Sequence, residues 1–235
     1  MGAHVAEGDP LRSEAVYRAL RQAIIEQALL PGTKLPEDVI GARFGASRTL
    51  VRRALSRLEA DGLVEFRMNR GAAVARPSLD EARQLFGLRV VLESEVLRQL
   101  SGRLDAAKVA VLTAHVDREV EARRRGGPES IRLAGEFHIV LAEMTGNAVL
   151  TRYVGELVSR ASLILAAYAR PHSADCAIDE HRQLIGILER GDTEAAIAAM
   201  AAHIGNVEAR ADLTPARPPV DLAAVLDAYA LETAA

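Results

Sequence analysis

Between residues 79 and 212 the sequence falls into six apolar-periodic stretches, separated only by short breaks rich in glycine, proline or serine. The spacing predicts helices over 79–101, 105–124, 129–145, 147–169, 174–190 and 193–212. The breaks are Ser101-Gly102, the run "RRRGGP" at 123–128, Gly146-Asn147, Arg170-Pro171 and Gly191-Asp192. Connections this short make consecutive helices pack largely antiparallel. Ser78 is the predicted N-cap of the first helix, and Glu81 at the third helical position completes a capping box. Aromatic residues make up only 3% of the chain and tryptophan is absent, which suits a helical bundle better than a β-sandwich.

The first 76 residues are organised differently. Val16, Leu20, Ile24 and Leu29 are spaced for a helix over 12–30, ended by Pro31-Gly32. A short helix follows over 36–44, with Val39, Ile40 and Phe44 inward. "GAS" at 45–47 is a turn whose Ser47 can cap a third helix over 48–60. Beyond Asp61-Gly62, two short strands over 63–67 and 72–75 flank a tight turn containing "NRG". Three helices and a hairpin make a compact winged unit. The expected organisation is 1–76, 79–212 and a tail over 213–235, which either forms a short helix or frays. The fold class is mainly α.

Charge divides in the same place. Residues 1–76 carry 12 Lys/Arg against 9 Asp/Glu, while the remainder carries 17 against 23, giving +3 and −6. A basic module thus precedes an acidic one. The single cysteine, Cys176, rules out an intrachain disulfide and a Cys-rich zinc site, and it suits a reducing compartment. No apolar stretch is long enough to span a bilayer, and the N-terminus lacks a secretory pattern, so a cytoplasmic protein with no membrane partner is expected.

Arg43, Arg48, Arg52, Arg53 and Arg57 crowd the second and third helices, with no acid among them. On helix 48–60 the apolar stripe is Leu50, Val51, Ala54, Leu55 and Leu58, which leaves Arg48, Thr49, Arg52 and Arg53 on the outer side. A helix, a glycine-bearing turn and a second helix form a helix-turn-helix, whose second helix enters the major groove by its N-terminal end. Arg48 and Arg52, one turn apart, offer two fork-shaped donors to guanine edges or phosphates. The hairpin tip adds Arg67 and Arg70 beside Gly71, a wing for the neighbouring backbone or minor groove. Arg43, Arg53 and Arg57 keep two readings, phosphate contact or solvated surface.

The stretch "LPGTKLPEDVIGARFGASRTLVRRALSRLEADGLVEFRMNRGAAV" resembles the winged helix-turn-helix of GntR-superfamily transcription regulators. The resemblance implies that Arg48 and Arg52 read operator DNA, that Thr49 assists, and that Gly71 approaches the DNA backbone. Ile40-Gly41 stands where Leu-Ala is usual, and Leu50 where proline is common. A homodimer on a palindromic double-stranded operator is the expected partnership.

The second module contributes His115, His138, His172, His181 and His203. Helical spacing turns His138, His181 and His203 inward from three different helices. They are either three separate core histidines or a cluster converging on one ion. Residues 79–212 are similar to the FadR C-terminal ligand-binding domain, through "LRVVLESEV", "FHIVLAEMTGNAVL", "EHRQLIGILERGD" and "AAMAAHI". That resemblance implies a divalent metal on His138, His181 and His203, zinc or alternatively nickel, with Ala134 where an aspartate ligand is usual. Glu136 is off the required helix face. Arg89 matches an arginine of the effector cavity, and Glu93, one turn on, pairs with it or lines the same cavity. A small organic acid is the implied effector. The expected function is a ligand-responsive repressor. The alternatives are a helical metal-dependent enzyme using the three histidines, for which no general base or nucleophile motif stands out, and a winged-helix scaffold for protein contacts.

Overall fold

Residues 9–168, 175–211, 221–223 and 225–227 are described by the computed structural model. The break predicted at Arg170-Pro171, His172 and much of the 213–235 tail lie outside them. The described residues form two compact units: the chain up to Arg76 together with the described residues of 221–227, and the chain from Pro77 to residue 211.

The first unit consists of α1 (Asp9–Ile25), α2 (Glu37–Phe44), α3 (Arg48–Ala60) and the antiparallel pair β1 (Val64–Arg67) and β2 (Gly71–Val74). The apolar stripe of α3 is buried as its spacing requires, and it packs on α1, whose Val16, Ala19, Leu20, Ala23 and Ile24 are fully buried. Ser47 caps α3 by accepting the Leu50 N–H. The Ser13 hydroxyl donates to the Leu50 carbonyl at 3.1 Å, tying the two helices together. Helix α1 stops at Ile25 rather than at 30. Gln27 adopts φ +60°, and the Ala28 and Leu29 N–H groups both donate to the Ala23 carbonyl, closing the helix. Leu29 is buried nonetheless, so the apolar spacing runs past the helix end.

The turn between α2 and α3 depends on two glycines. Gly45 caps α2 in the left-handed region at φ +57° and donates its N–H to the Gly41 carbonyl. A Cβ on Gly41 would lie 2.7 Å from the Ala46 carbonyl oxygen, so the unusual glycine allows a close backbone approach. Gly41→Ala is therefore expected to destabilise the protein by about 1–3 kcal/mol through overpacking. That exceeds the roughly 0.5–1 kcal/mol that alanine contributes in a helix. Thermal melts check this, and an unchanged or higher midpoint would show that the turn yields freely.

In the wing, Val64 faces Val74 and Arg67 faces Gly71. A third edge joins it that sequence did not suggest. Gly32 and Leu35 donate to the Val74 and Ala72 carbonyls, Val74 donates to Thr33, and Lys34 bridges to Ala73.

The second unit is all helical: α4 (Leu79–Leu100), α5 (Ala106–Arg124), α6 (Glu129–Glu143), α7 (Ala148–Tyr168), α8 (Asp175–Glu189) and α9 (Thr193–Ala209). Helix α4 packs on α6, α7 and α9, while α5 packs on α6 and α8. Phe86, Leu97, Leu100, Leu112, Phe137, Ile164, Met200 and Ile204 lie in their shared core. Asp105, Asn147 and Asp192 each accept a backbone N–H three residues on, which fixes where helices begin. Ser78 likewise accepts the Glu81 N–H at 3.1 Å. Only that half of the predicted capping box is seen, since the Glu81 carboxylate is hydrogen-bonded to Arg160.

Candidate functional site

The first unit presents a basic face. Arg48, Thr49, Arg52 and Arg53 on α3, and Arg67, Arg70 and Gly71 on the wing, are all exposed. Arg48 and Arg70 line one cleft of about 320 Å³ together with Lys34 and Gly71, so the start of α3 and the wing turn both border it. Glu37 and Asp38 line it too. Arg52 is held loosely, 3.8 Å from Glu37 and 5.9 Å from the centre of the Phe66 ring. Its side chain remains 68% exposed and so able to reach outward. Gly71 has φ +71° with open space where a Cβ would stand. The wing turn therefore needs glycine for its conformation, and the backbone there can be approached from outside.

The remaining arginines divide. Arg57 stacks over the Tyr17 ring at 3.8 Å and pairs with Glu14, while Tyr17 donates to Asp61 at 2.7 Å. Arg57 thus binds α3 to α1. Glu14 beside it raises the Arg57 pKa further. Arg43 is bonded across the chain to Asp227 at 2.6 Å, next to the fully buried Leu226. Lys34 was missed because only the third edge, a long-range pairing, places it in the cleft.

In the second unit α6, α8 and α9 bring His138, His181 and His203 together. All three are buried, and their candidate ligand atoms lie within 4.8 Å of one another. The Nε2 atoms of His138 and His203 are 3.2 Å apart, close to the separation of about 3.3 Å between two nitrogens on a tetrahedral zinc. Phe137 stacks on the His181 ring at 4.0 Å and holds it in place. Burial and the neighbouring His138 push the His181 pKa well down. Burial and the same neighbour bring His203 to about 3. Both rings are therefore neutral at physiological pH, the form that binds a metal. Among the described residues, His181 Nε2 is buried with no hydrogen-bond partner. An orphaned nitrogen in a set of neutral imidazoles fits a metal ion.

Behind the rings stand carboxylates. Each Nδ1 meets a different one: His138 at Glu93 (2.5 Å), His181 at Glu119 (3.1 Å) and His203 at Glu180 (2.6 Å). Arg89, 3% exposed, donates from Nε to Glu93 at 2.8 Å. Burial alone would raise the Glu93 carboxyl, but Arg89 and His138 bring it down to about 2. Among the described residues no guanidinium is hydrogen-bonded to Glu119, and burial lifts its carboxyl to about 7 against the pull of His115. Arg89 Nη2 is also buried without a partner. Ala134 offers no ligand atom. Glu136 is paired with Arg132 at 2.7 Å. His115 is not one of the three clustered rings; it meets the Leu133 carbonyl and Arg118 and lies 3.5 Å from Glu119. Glu119 and Glu180 were not recognised from sequence, although Glu180 directly precedes His181 and Glu119 lies one helical turn after His115.

Among the described residues, no helix is long and apolar enough to cross a membrane. Residues 12–74 match the gntR family of bacterial regulatory proteins, and residues 84–206 match the FCD domain. The chain is 31% identical to the probable D-xylose utilization operon transcriptional repressor of Paenarthrobacter nicotinovorans, over 77% of this chain and 80% of that protein. It is 24% identical to the HTH-type transcriptional regulator YdhC of Bacillus subtilis, over 81% and 86%. The solved structure of a GntR regulator from Rhodococcus sp. RHA1 superposes with a TM-score of 0.73 at 26% identity, covering 84% of this chain and 96% of that one. With the basic winged unit and the buried histidine cluster in place, these matches show that the chain belongs to the gntR family with an FCD-type second module, and that it is a ligand-responsive, DNA-binding transcription regulator.

Proposed function

We propose that the protein is a cytoplasmic homodimeric repressor, released from a palindromic operator when a small organic acid binds near a metal in the second unit. Arg48 and Arg52 read base edges with Thr49 beside them, Arg53 contacts phosphate, and Arg67, Arg70 and Gly71 bring the wing onto the backbone. His138, His181 and His203 hold the ion, zinc first and nickel next by ligand type. An ion held there would supply positive charge to an effector carboxylate. Glu93 orients Arg89, whose guanidinium meets the same acid. Effector binding releases DNA to the extent that it favours one arrangement of the dimer over another.

One observation carries this reading. Among the described residues, two buried side-chain atoms lack a partner, Arg89 Nη2 and His181 Nε2. One is a cationic donor and the other a metal-ligating nitrogen. Arg89 is also linked through Glu93 to His138, and His138 in turn to His203. Two unmet needs in one network call for a cation and an anion together. The metal-dependent enzyme alternative has no support from family membership. A thermal-shift screen of small carboxylic acids, with and without zinc, tests the reading when combined with operator release. The expected result is an acid that stabilises the protein more with zinc than without and dissociates the DNA complex. An acid that stabilises equally without metal and leaves DNA bound would overturn it.

A further inference from the structure

Three glutamates from three helices, Glu93 on α4, Glu119 on α5 and Glu180 on α8, each take the outward nitrogen of a different cluster histidine. Glu93 and Glu119 are 2% and 1% exposed. Burying a carboxylate is expensive unless it is well paired, and a neutral amide could hold an imidazole N–H in the same way. Three such groups around one cluster therefore call for a reason beyond packing.

Chemistry supplies that reason. A carboxylate at Nδ1 makes that nitrogen the donor, so the lone pair of each ring lies on Nε2. With the tautomer set in this way, the Nε2 lone pairs of His138 and His203 confront each other at 3.2 Å, and that of His181 has no partner. Such an arrangement is poor for a protein alone and suited to a cation. The ligand set itself contains no carboxylate, so it brings no negative charge to a divalent ion. Resting on the metal reading above, we infer that Glu93, Glu119 and Glu180 are positioning residues. They fix all three histidines in the metal-binding tautomer and supply, from behind the rings, the negative charge that the ligands lack.

Zinc titrations of the full-length protein by chelator competition test this with Glu93→Gln, Glu119→Gln and Glu180→Gln. Glutamine keeps an acceptor for Nδ1–H but removes the charge. Each variant is expected to bind zinc about 10- to 100-fold more weakly. Glu93→Gln leaves Arg89 uncompensated in the core, so Glu180→Gln, whose native side chain is 22% exposed, serves as the variant expected to fold. Imidazole ¹⁵N spectra of the zinc-free protein add a second readout. His203 is expected to carry its proton on Nδ1 in the wild type, to lose that preference in Glu180→Ala, and to regain it in Glu180→Gln. Wild-type binding of one zinc per chain, with folded Gln variants binding equally tightly, overturns the inference and leaves the metal site standing. Failure of the wild type to bind zinc or nickel overturns both.

Discussion

Replacing Arg48 and Arg52 together by alanine should abolish specific operator binding while leaving the protein folded and its oligomeric state unchanged. A good bidentate contact between arginine and guanine is worth about 1–3 kcal/mol of discrimination. Losing two corresponds to a reduction in affinity of roughly 30-fold to 10⁴-fold. Stability should hardly change, because both side chains are exposed and the Arg52 contacts to Glu37 and Phe66 are long. Residual binding should be non-specific and salt-sensitive, carried by Lys34, Arg53, Arg67 and Arg70. Fluorescence anisotropy at fixed salt, comparing a duplex selected by the wild-type protein with a scrambled one, measures both quantities. Wild-type discrimination in the double variant would remove α3 as the reading element.

The second large effect concerns the ion. Protein purified without chelator should carry stoichiometric divalent metal, and His138→Ala should carry none. His138 shares the closest nitrogen pair in the cluster and is bonded to Glu93, so its loss removes a ligand and unpairs a buried carboxylate. With free zinc at a hundred times Kd, the wild type should gain about 2.7 kcal/mol of stability. The variant should gain essentially nothing at the same zinc concentration. Elemental analysis and paired melts with zinc or chelator separate this increment from any loss of intrinsic stability in the variant. A wild type without metal, and not stabilised by zinc or nickel, would return His138, His181 and His203 to the status of core histidines.

Much of the architecture could be read because it is local. The apolar stripe of α3, the Ser47 and Ser78 caps and the Gly45 turn all depend on residues within a few positions of one another. What could not be read is pairing across long stretches of chain. The edge formed by residues 32–35 joins β2 through bonds that no local pattern announces, and Lys34 enters the basic cleft only because of them. Arg57 looked like its neighbours until Tyr17 and Glu14, some forty residues earlier, proved to hold it.

The histidine cluster shows the same limit from another side. Helical spacing established that His138, His181 and His203 face inward, but a period fixes direction, not convergence. The resemblance to a ligand-binding domain suggested that they meet, and the fold brings them within 4.8 Å. The carboxylates behind them went unnoticed because Glu119 and Glu180 sit in ordinary charged stretches of sequence. Only the packing of α5 against α8 and of α8 against α9 directs them at imidazoles.

The return of residues 221–223 and 225–227 to the first unit has a practical side. A DNA-binding fragment cut after Arg76 would not be the same surface as the whole protein's. It would lack the Leu226 side chain, which is wholly enclosed, and the Asp227 carboxylate that neutralises Arg43. The fragment would carry one more free cation beside α3 and a bared apolar spot. Its affinity and solubility would differ from those of the intact chain for reasons unrelated to the effector, and co-expressing residues 216–235 with it is the appropriate control.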